Sequence, residues 1–322
     1  MITVGHASTI EQLSTIGQAT AAPLDNVGPA VALSLLAALL FAVASVLQQR
    51  GTSTVDDDDA LGAGMLASLM KRPVWLLGIG ADIAGFAVQA WALAVGSLLL
   101  VQPLLVSTLL FALPLAAWTQ KRHLTVKEWA WAGVLVASLV AFVVLGQPTA
   151  GIEQPTFRSW IPTLILVTPL LAGCLYAAKG LAHGTRRSLV LAVVAGVLLG
   201  LSAPLTKTAV HAFDHGLGGG LKAWELWLMA ITASLGTFWQ QSSYQAGDVQ
   251  TSLPAVTVLK PIIAMALGLT IYQEHLKVGG LGDLALLVAI ITMGVATIAL
   301  GRLSAPPEAA ADESAPDTAP AA

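Results

Sequence analysis

Nine stretches of about twenty mostly apolar residues follow one another along this chain, with little between them. They cover 29–50, 74–96, 98–119, 127–147, 160–180, 188–212, 224–246, 249–273 and 279–301. Their apolar residues run continuously, without the 3.6- or 2-residue alternation that lines a soluble core. In lipid every backbone N–H and C=O must be satisfied within its own segment, so runs of this length fold as spanning helices. The chain is 56% hydrophobic and 10% charged, where a soluble domain is about a quarter charged. A soluble enzyme, a disordered chain and a disulfide scaffold are excluded. The fold class is an all-α polytopic membrane protein with nine transmembrane helices.

The remaining segments are short. Residues 1–28 read as a polar tail, because they lack the Lys or Arg and the continuous apolar run of a secretory signal. Residues 302–322, rich in Ala, Pro and acids, read as disordered. The run Asp56–Asp59 has the chemistry of a divalent-metal site, but it lies in a long connection and reads as a solvated loop. Cys174, the single cysteine, sits in an apolar run as a packed thiol. Net charge is −3 and no basic tract suits nucleic acid.

Orientation follows from Lys and Arg. With the N-terminus outside, the inner connections hold Arg50, Lys71, Arg72, Lys121, Arg122, Lys127, Lys179, Arg186, Arg187 and Arg302. The outer ones hold only Arg158, Lys222 and Lys277, which predicts N-out and C-in at the cytoplasmic membrane.

An internal repeat gives the strongest functional signal. At an offset of 152, Trp75 falls on Trp227, Ile79 on Ile231, Phe86 on Phe238, Gln89 on Gln241 and His123-Leu124 on His275-Leu276. The first span joins at an offset of 158, with Leu47 opposite Leu205 and Gln49 opposite Lys207. Residues 29–147 therefore repeat as 188–301, joined by the helix and loop of 148–187. Four spans plus one joint turn the second copy upside down. Such a 4+1+4 inverted-topology repeat places a solute site near the midplane and permits alternating access in secondary transporters.

The order of parts resembles the drug/metabolite transporter superfamily, including its EamA-like members, and more narrowly the branch with the NIPA-type magnesium transporters. The resemblance lies in Ser45-Val46-Leu47-Gln48-Gln49-Arg50-Gly51, Trp75-Leu76-Leu77-Gly78, and Ala94-Val95-Gly96 shortly before Leu100-Val101-Gln102-Pro103-Leu104. Tyr272-Gln273-Glu274-His275-Leu276 closes span eight, and the resemblance implies an acidic residue there. It covers roughly 29–301 and implies a transporter of small solutes, commonly an exporter.

Ionisable groups inside spans are functional candidates by default. Asp82 lies in span two with Gln89 seven residues on, and Ser234 and Gln241 repeat that spacing in span seven. Two such stripes are walls of one cavity or hydrogen-bonding contacts between helices. Lys260 sits mid-span beside Pro261, with Thr257 one turn before it. Three uses are open: an anion site, a breakable pair with Asp82, or a permanent structural ion pair. Gln102, Lys207, Ser234 and Tyr244 are weaker substrate-binding candidates. Lys207, near the outer end of span six, is expected to snorkel toward headgroups. His211, Asp214 and His215 read as a solvated helix end. Trp75, Trp129, Trp160, Trp224 and Trp227 fall near span ends, where interfacial aromatics belong.

Three readings remain. The favoured one is a secondary transporter of a small polar or anionic metabolite, possible proton coupling included. The second is a NIPA-type divalent-cation transporter, which a mid-span lysine disfavours because it repels a bare cation. The third is a non-transporting scaffold. An intramembrane enzyme is not expected, since no nucleophile–base or metal motif is present. No catalytic residue, metal ligand or cofactor is expected. The expected partners are a small-molecule or ion substrate and the lipid bilayer. A homodimer is not inferable from the sequence.

Overall fold

The computed structural model describes residues 27–52, 71–247, 249–277 and 279–304. Both predicted tails and Asp56–Asp59 lie outside these residues. The helices are α1 (Val27–Thr52), α2 (Pro73–Val95), α3 (Leu98–Leu105), α4 (Thr108–Thr119), α5 (Val126–Gly146) and α6 (Phe157–Gly180). They continue as α7 (Thr185–Ala212), the short α8 (Leu217–Lys222), α9 (Trp224–Ala246), α10 (Val249–Thr270) and α11 (Leu281–Ser304).

Eight segments among the described residues are long and apolar enough to cross a membrane, with α3 and α4 counted together, so the chain is a multi-pass helical membrane protein. The helix α9 matches a predicted span in length, but its C-terminal half carries Gln240, Gln241, Ser242, Ser243, Tyr244 and Gln245. That polarity leaves it outside the eight.

The hairpin between spans two and three is as tight as the sequence predicts, with Gly96 and Ser97 alone between α2 and α3. A side chain at Gly96 would stand 2.8 Å from Ala30, so glycine lets the turn close on α1. Ser97 caps α3 by accepting from Leu100 N–H (3.2 Å). The third predicted span is broken at Val106-Ser107, just after Pro103. The Ser107 and Thr108 hydroxyls donate to the carbonyls of Leu104 (2.6 Å) and Leu105 (2.7 Å), which keeps the break satisfied without water.

Lipid is as apolar as a leucine side chain, so close packing and hydrogen bonds hold such helices together. The central helix α7 is built for this, and nearly every residue from Leu191 to Ala209 is buried. Gly196 meets Leu259, and Gly200 meets Ile263 and the Lys260 carbonyl, so α10 runs parallel to α7 at close range. Gly236 of α9 meets Leu199, and the Ser188 hydroxyl donates to the Ser243 carbonyl (2.8 Å), so α9 runs antiparallel to α7. In the first half, Gly78 meets Gln48 and Gly85 meets Phe41, which sets α2 antiparallel to α1. The helix α6 is peripheral and buries only Trp160 and Ala178.

One small sheet ties the segment after α5 to the segment before α11. Strand β1 (Pro148–Thr149), after α5, pairs antiparallel with β2 (His275–Leu276), before α11. The Lys277 N–H donates to the Gly146 carbonyl (2.9 Å) beside it.

Candidate functional site

The chain past α10 places the most deeply buried charged group described. The helix ends at Thr270, three residues before the predicted span boundary. Gln273 takes a left-handed conformation (φ 52°), which turns the chain back over the helix end. The Glu274 N–H then donates to the Gly268 carbonyl (3.0 Å). The Glu274 side chain, 0% exposed, enters the bundle.

Its carboxylate is fully partnered. Leu98 N–H donates to Oε1 (2.8 Å) and Leu99 N–H to Oε2 (2.9 Å), at the N-terminus of α3. These amides carry the positive end of the helix dipole and have no partner within the helix. Lys207 Nζ of α7 reaches Oε1 at 2.7 Å. Two charges out of water offset each other only with good geometry and satisfied lone pairs, and both conditions are met here.

Aromatic groups seal the pair. Lys207 Nζ lies 5.4 Å from the Tyr272 ring centroid. The Tyr272 hydroxyl donates to the Pro204 carbonyl, and the Thr208 hydroxyl donates to Tyr272. Trp160 packs edge-on to Tyr272 and Trp224, with centroids 6.4 and 5.9 Å away. Trp160 is therefore a core residue and not the interfacial anchor its position suggested, whereas Trp129 and Trp227 stay 63% and 60% exposed.

Lys207 does not snorkel. It is 3% exposed, because Glu274 supplies a partner closer than the headgroups. Only a fold that returns the chain after α10 over α7 brings the two together, and no local pattern encodes that return.

The other sequence-derived candidates are spread over the bundle. Asp82 is exposed on α2 and Lys260 half-buried on α10. Each acts electrostatically on the other, without an ion-pair contact. Gln89 is buried, while its counterpart Gln241 and Ser234 are exposed beside Trp227, Ile231 and Phe238, so the two polar stripes differ in surroundings. The Thr257 hydroxyl donates to the Leu253 carbonyl of its own helix (2.8 Å). Tyr244 accepts from Gln240 Nε2 (2.7 Å). Gln102 is 2% exposed, and its Nε2 has no acceptor, which makes it a buried donor in need of one. His211 is also buried, 3.3 Å from the exposed Asp214, so the helix end is only partly solvated. Among the described residues no three His, Cys, Asp or Glu side chains converge.

Sequence reading missed Glu274 as a site residue, although it named the acid after span eight. The sequence signal is that Glu274 falls on Arg122, a residue of opposite charge, at an offset of 152.

No protein-family model matches the chain, and no solved structure matches it. The chain is similar to an uncharacterized protein of Corynebacterium glutamicum, Cgl0250/cg0304. Identity is 35% over 279 residues, which span 86% of this chain and 96% of that protein. With that identity over nearly the whole of both proteins, the chain belongs to the same family as this corynebacterial protein.

Proposed function

We propose that this protein is a secondary transporter of the drug/metabolite type, moving a small polar or anionic metabolite across the cytoplasmic membrane by alternating access. In this reading α9 is the seventh of nine spans, the halves form a 4+1+4 inverted repeat, the N-terminus is outside and the C-terminus inside. Packing supports the repeat. Phe41 lies against Gly85 in the first half and Leu199 against Gly236 in the second. Phe41 and Leu199 stand at the 158 offset, and Gly85 and Gly236 within one residue of the 152 offset.

The observation that carries the reading is an asymmetry between repeat-related positions. At the end where α2 turns into α3, Lys207 and Glu274 close the bundle. Their repeat mates at the opposite end are Gln49 and Arg122. There Arg50 and Arg122 line a cleft of about 700 Å³ with Lys121, His123, Trp118 and Trp129. One end is thus closed by a pair that joins α7 to the segment after α10, while at the related end Arg122 pairs only locally, with Glu128 at 2.9 Å, and an inverted-repeat transporter between half-cycles needs such a difference between its two ends. Asp82 and Lys260 lie between those ends. The lysine suits an anionic solute, and the carboxylate suits a proton or the lysine itself when the solute leaves. The break in the third span supplies irregular backbone at membrane depth, which transporters tolerate where it lines a cavity.

The test is uptake by purified protein in liposomes, with a mixed metabolite pool under a pH gradient and Mg²⁺ in a parallel arm. Saturable movement of an anionic or polar metabolite supports the reading. Movement of Mg²⁺ alone replaces it with the divalent-cation reading, and movement of neither removes it.

A further inference from the structure

A second pocket, of about 620 Å³, lies between the C-terminal turn of α6, the first turns of α7 and the C-terminal turn of α9. It sits at the end of the bundle opposite Glu274 and contains no residue of the Lys207–Glu274 site. Lys179, His183 and Arg187 line it, together with Trp239, Ser242 and Gln245, and no lining residue is acidic. The guanidinium of Arg187 lies against the His183 ring, with Nη1 3.3 Å from Nδ1 and 3.4 Å from Nε2.

Arg187 Nε is shut off from solvent and has no acceptor. Arg187 itself is half-buried and its Nη1 faces His183, but a donor nitrogen shut off from water without an acceptor is costly, and such atoms in folded proteins normally have a partner. The guanidinium fork fits two oxygens of one oxyanion, and Lys179 adds a point charge at the rim. The Ser242 hydroxyl already donates to Phe238 (2.9 Å) and so does not answer Arg187 as a donor to an anion. Ala178, Leu191 and Ala246 form an apolar floor with Leu175 and Trp239. Positive charge at the rim over an apolar floor, at a helix-end level, suits a phosphate that carries an acyl chain. The other basic cleft is less suited, because its Arg122 is already held by Glu128 at 2.9 Å.

We propose that this pocket is a binding site for a phosphate-bearing group of net negative charge, without a cation beside the phosphate, held by Arg187 and Lys179 with His183 alongside. The source is a phospholipid headgroup or free phosphate, and the two share this chemistry.

The test is native mass spectrometry of the full-length protein, released from micelles containing phosphatidylglycerol or phosphatidylcholine. Wild type is compared with the Lys179→Gln/Arg187→Gln double variant, with and without inorganic phosphate. Wild type is expected to retain phosphatidylglycerol roughly five- to tenfold over phosphatidylcholine, and the double variant to lose most of that preference. Displacement of the lipid by inorganic phosphate assigns the site to free phosphate, and persistence assigns it to the headgroup. Both outcomes uphold phosphate recognition. Equal retention of the two lipids by wild type, with no rise in unfolding temperature on adding phosphate, overturns it. So does a preference unchanged in the variant. If the double variant fails to fold, Lys179→Gln alone, at an exposed position, is expected to show a partial loss, and an unchanged preference there overturns the proposal equally.

Discussion

Lys207 Nζ stands 2.7 Å from Glu274 Oε1, and the same carboxylate accepts the first two amides of α3. One buried charge pair thus joins α7, the segment after α10 and the start of the third span. Removing Lys207 leaves a buried carboxylate with only amide partners. The variant Lys207→Met is expected to lose about 3–5 kcal/mol of stability, and Lys207→Met combined with Glu274→Leu to recover a large part of it. Thermal unfolding of purified protein in detergent checks this. A double variant as unstable as the single one would show that the pair is not a closed unit.

Space for the Glu274 carboxylate depends on Gly268. A methyl group there would stand 2.9 Å from Glu274 Oε2 and 3.2 Å from the Leu98 Cβ. Gly268→Ala is expected to push the carboxylate off the α3 amides and to destabilise by about 1–3 kcal/mol. Gly133, in the middle of α5, has nothing within 4 Å, so Gly133→Ala is expected to be neutral or to stabilise by up to about 1 kcal/mol. Unfolding temperatures of the two variants, measured side by side, check the contrast.

The polarity of α9 bears directly on topology. If α9 crosses the bilayer, the spans number nine and the termini lie on opposite sides; if it does not, eight spans put them on the same side. Single cysteines at Val27→Cys or Ser304→Cys, in a Cys174→Ser background, report this with a membrane-impermeant thiol reagent on intact cells. Labelling is expected at position 27 without permeabilisation and at position 304 only after it. Labelling of both from one side contradicts the inverted repeat.

Much of this architecture is legible in the sequence because lipid imposes a simple rule on backbone polarity. The hairpin at Gly96-Ser97 and eight of the nine apolar spans follow from local composition and spacing. The break after Pro103 is not legible in the sequence, since a proline alone does not decide between a bend and an interruption. The buried pair was not legible. Lys207 and Glu274 are 67 residues apart, and whether a lysine near a span end snorkels or pairs depends on the tertiary return of the chain after Thr270. Trp160 shows the same limit: its place near a span end suggested the interface, but Tyr272 and Trp224 cover it. Glycine contacts show which face of α7 meets α10, whereas the surroundings of Asp82 and Lys260 depend on distant elements.

The most direct test of transport through the Asp82–Lys260 region is metabolite flux in proteoliposomes for wild type, Asp82→Asn and Lys260→Ala. The expected result is saturable uptake by wild type, at least about tenfold slower in Lys260→Ala and uncoupled from the pH gradient in Asp82→Asn. Wild-type flux that persists unchanged in both folded variants would contradict a solute path past these two residues.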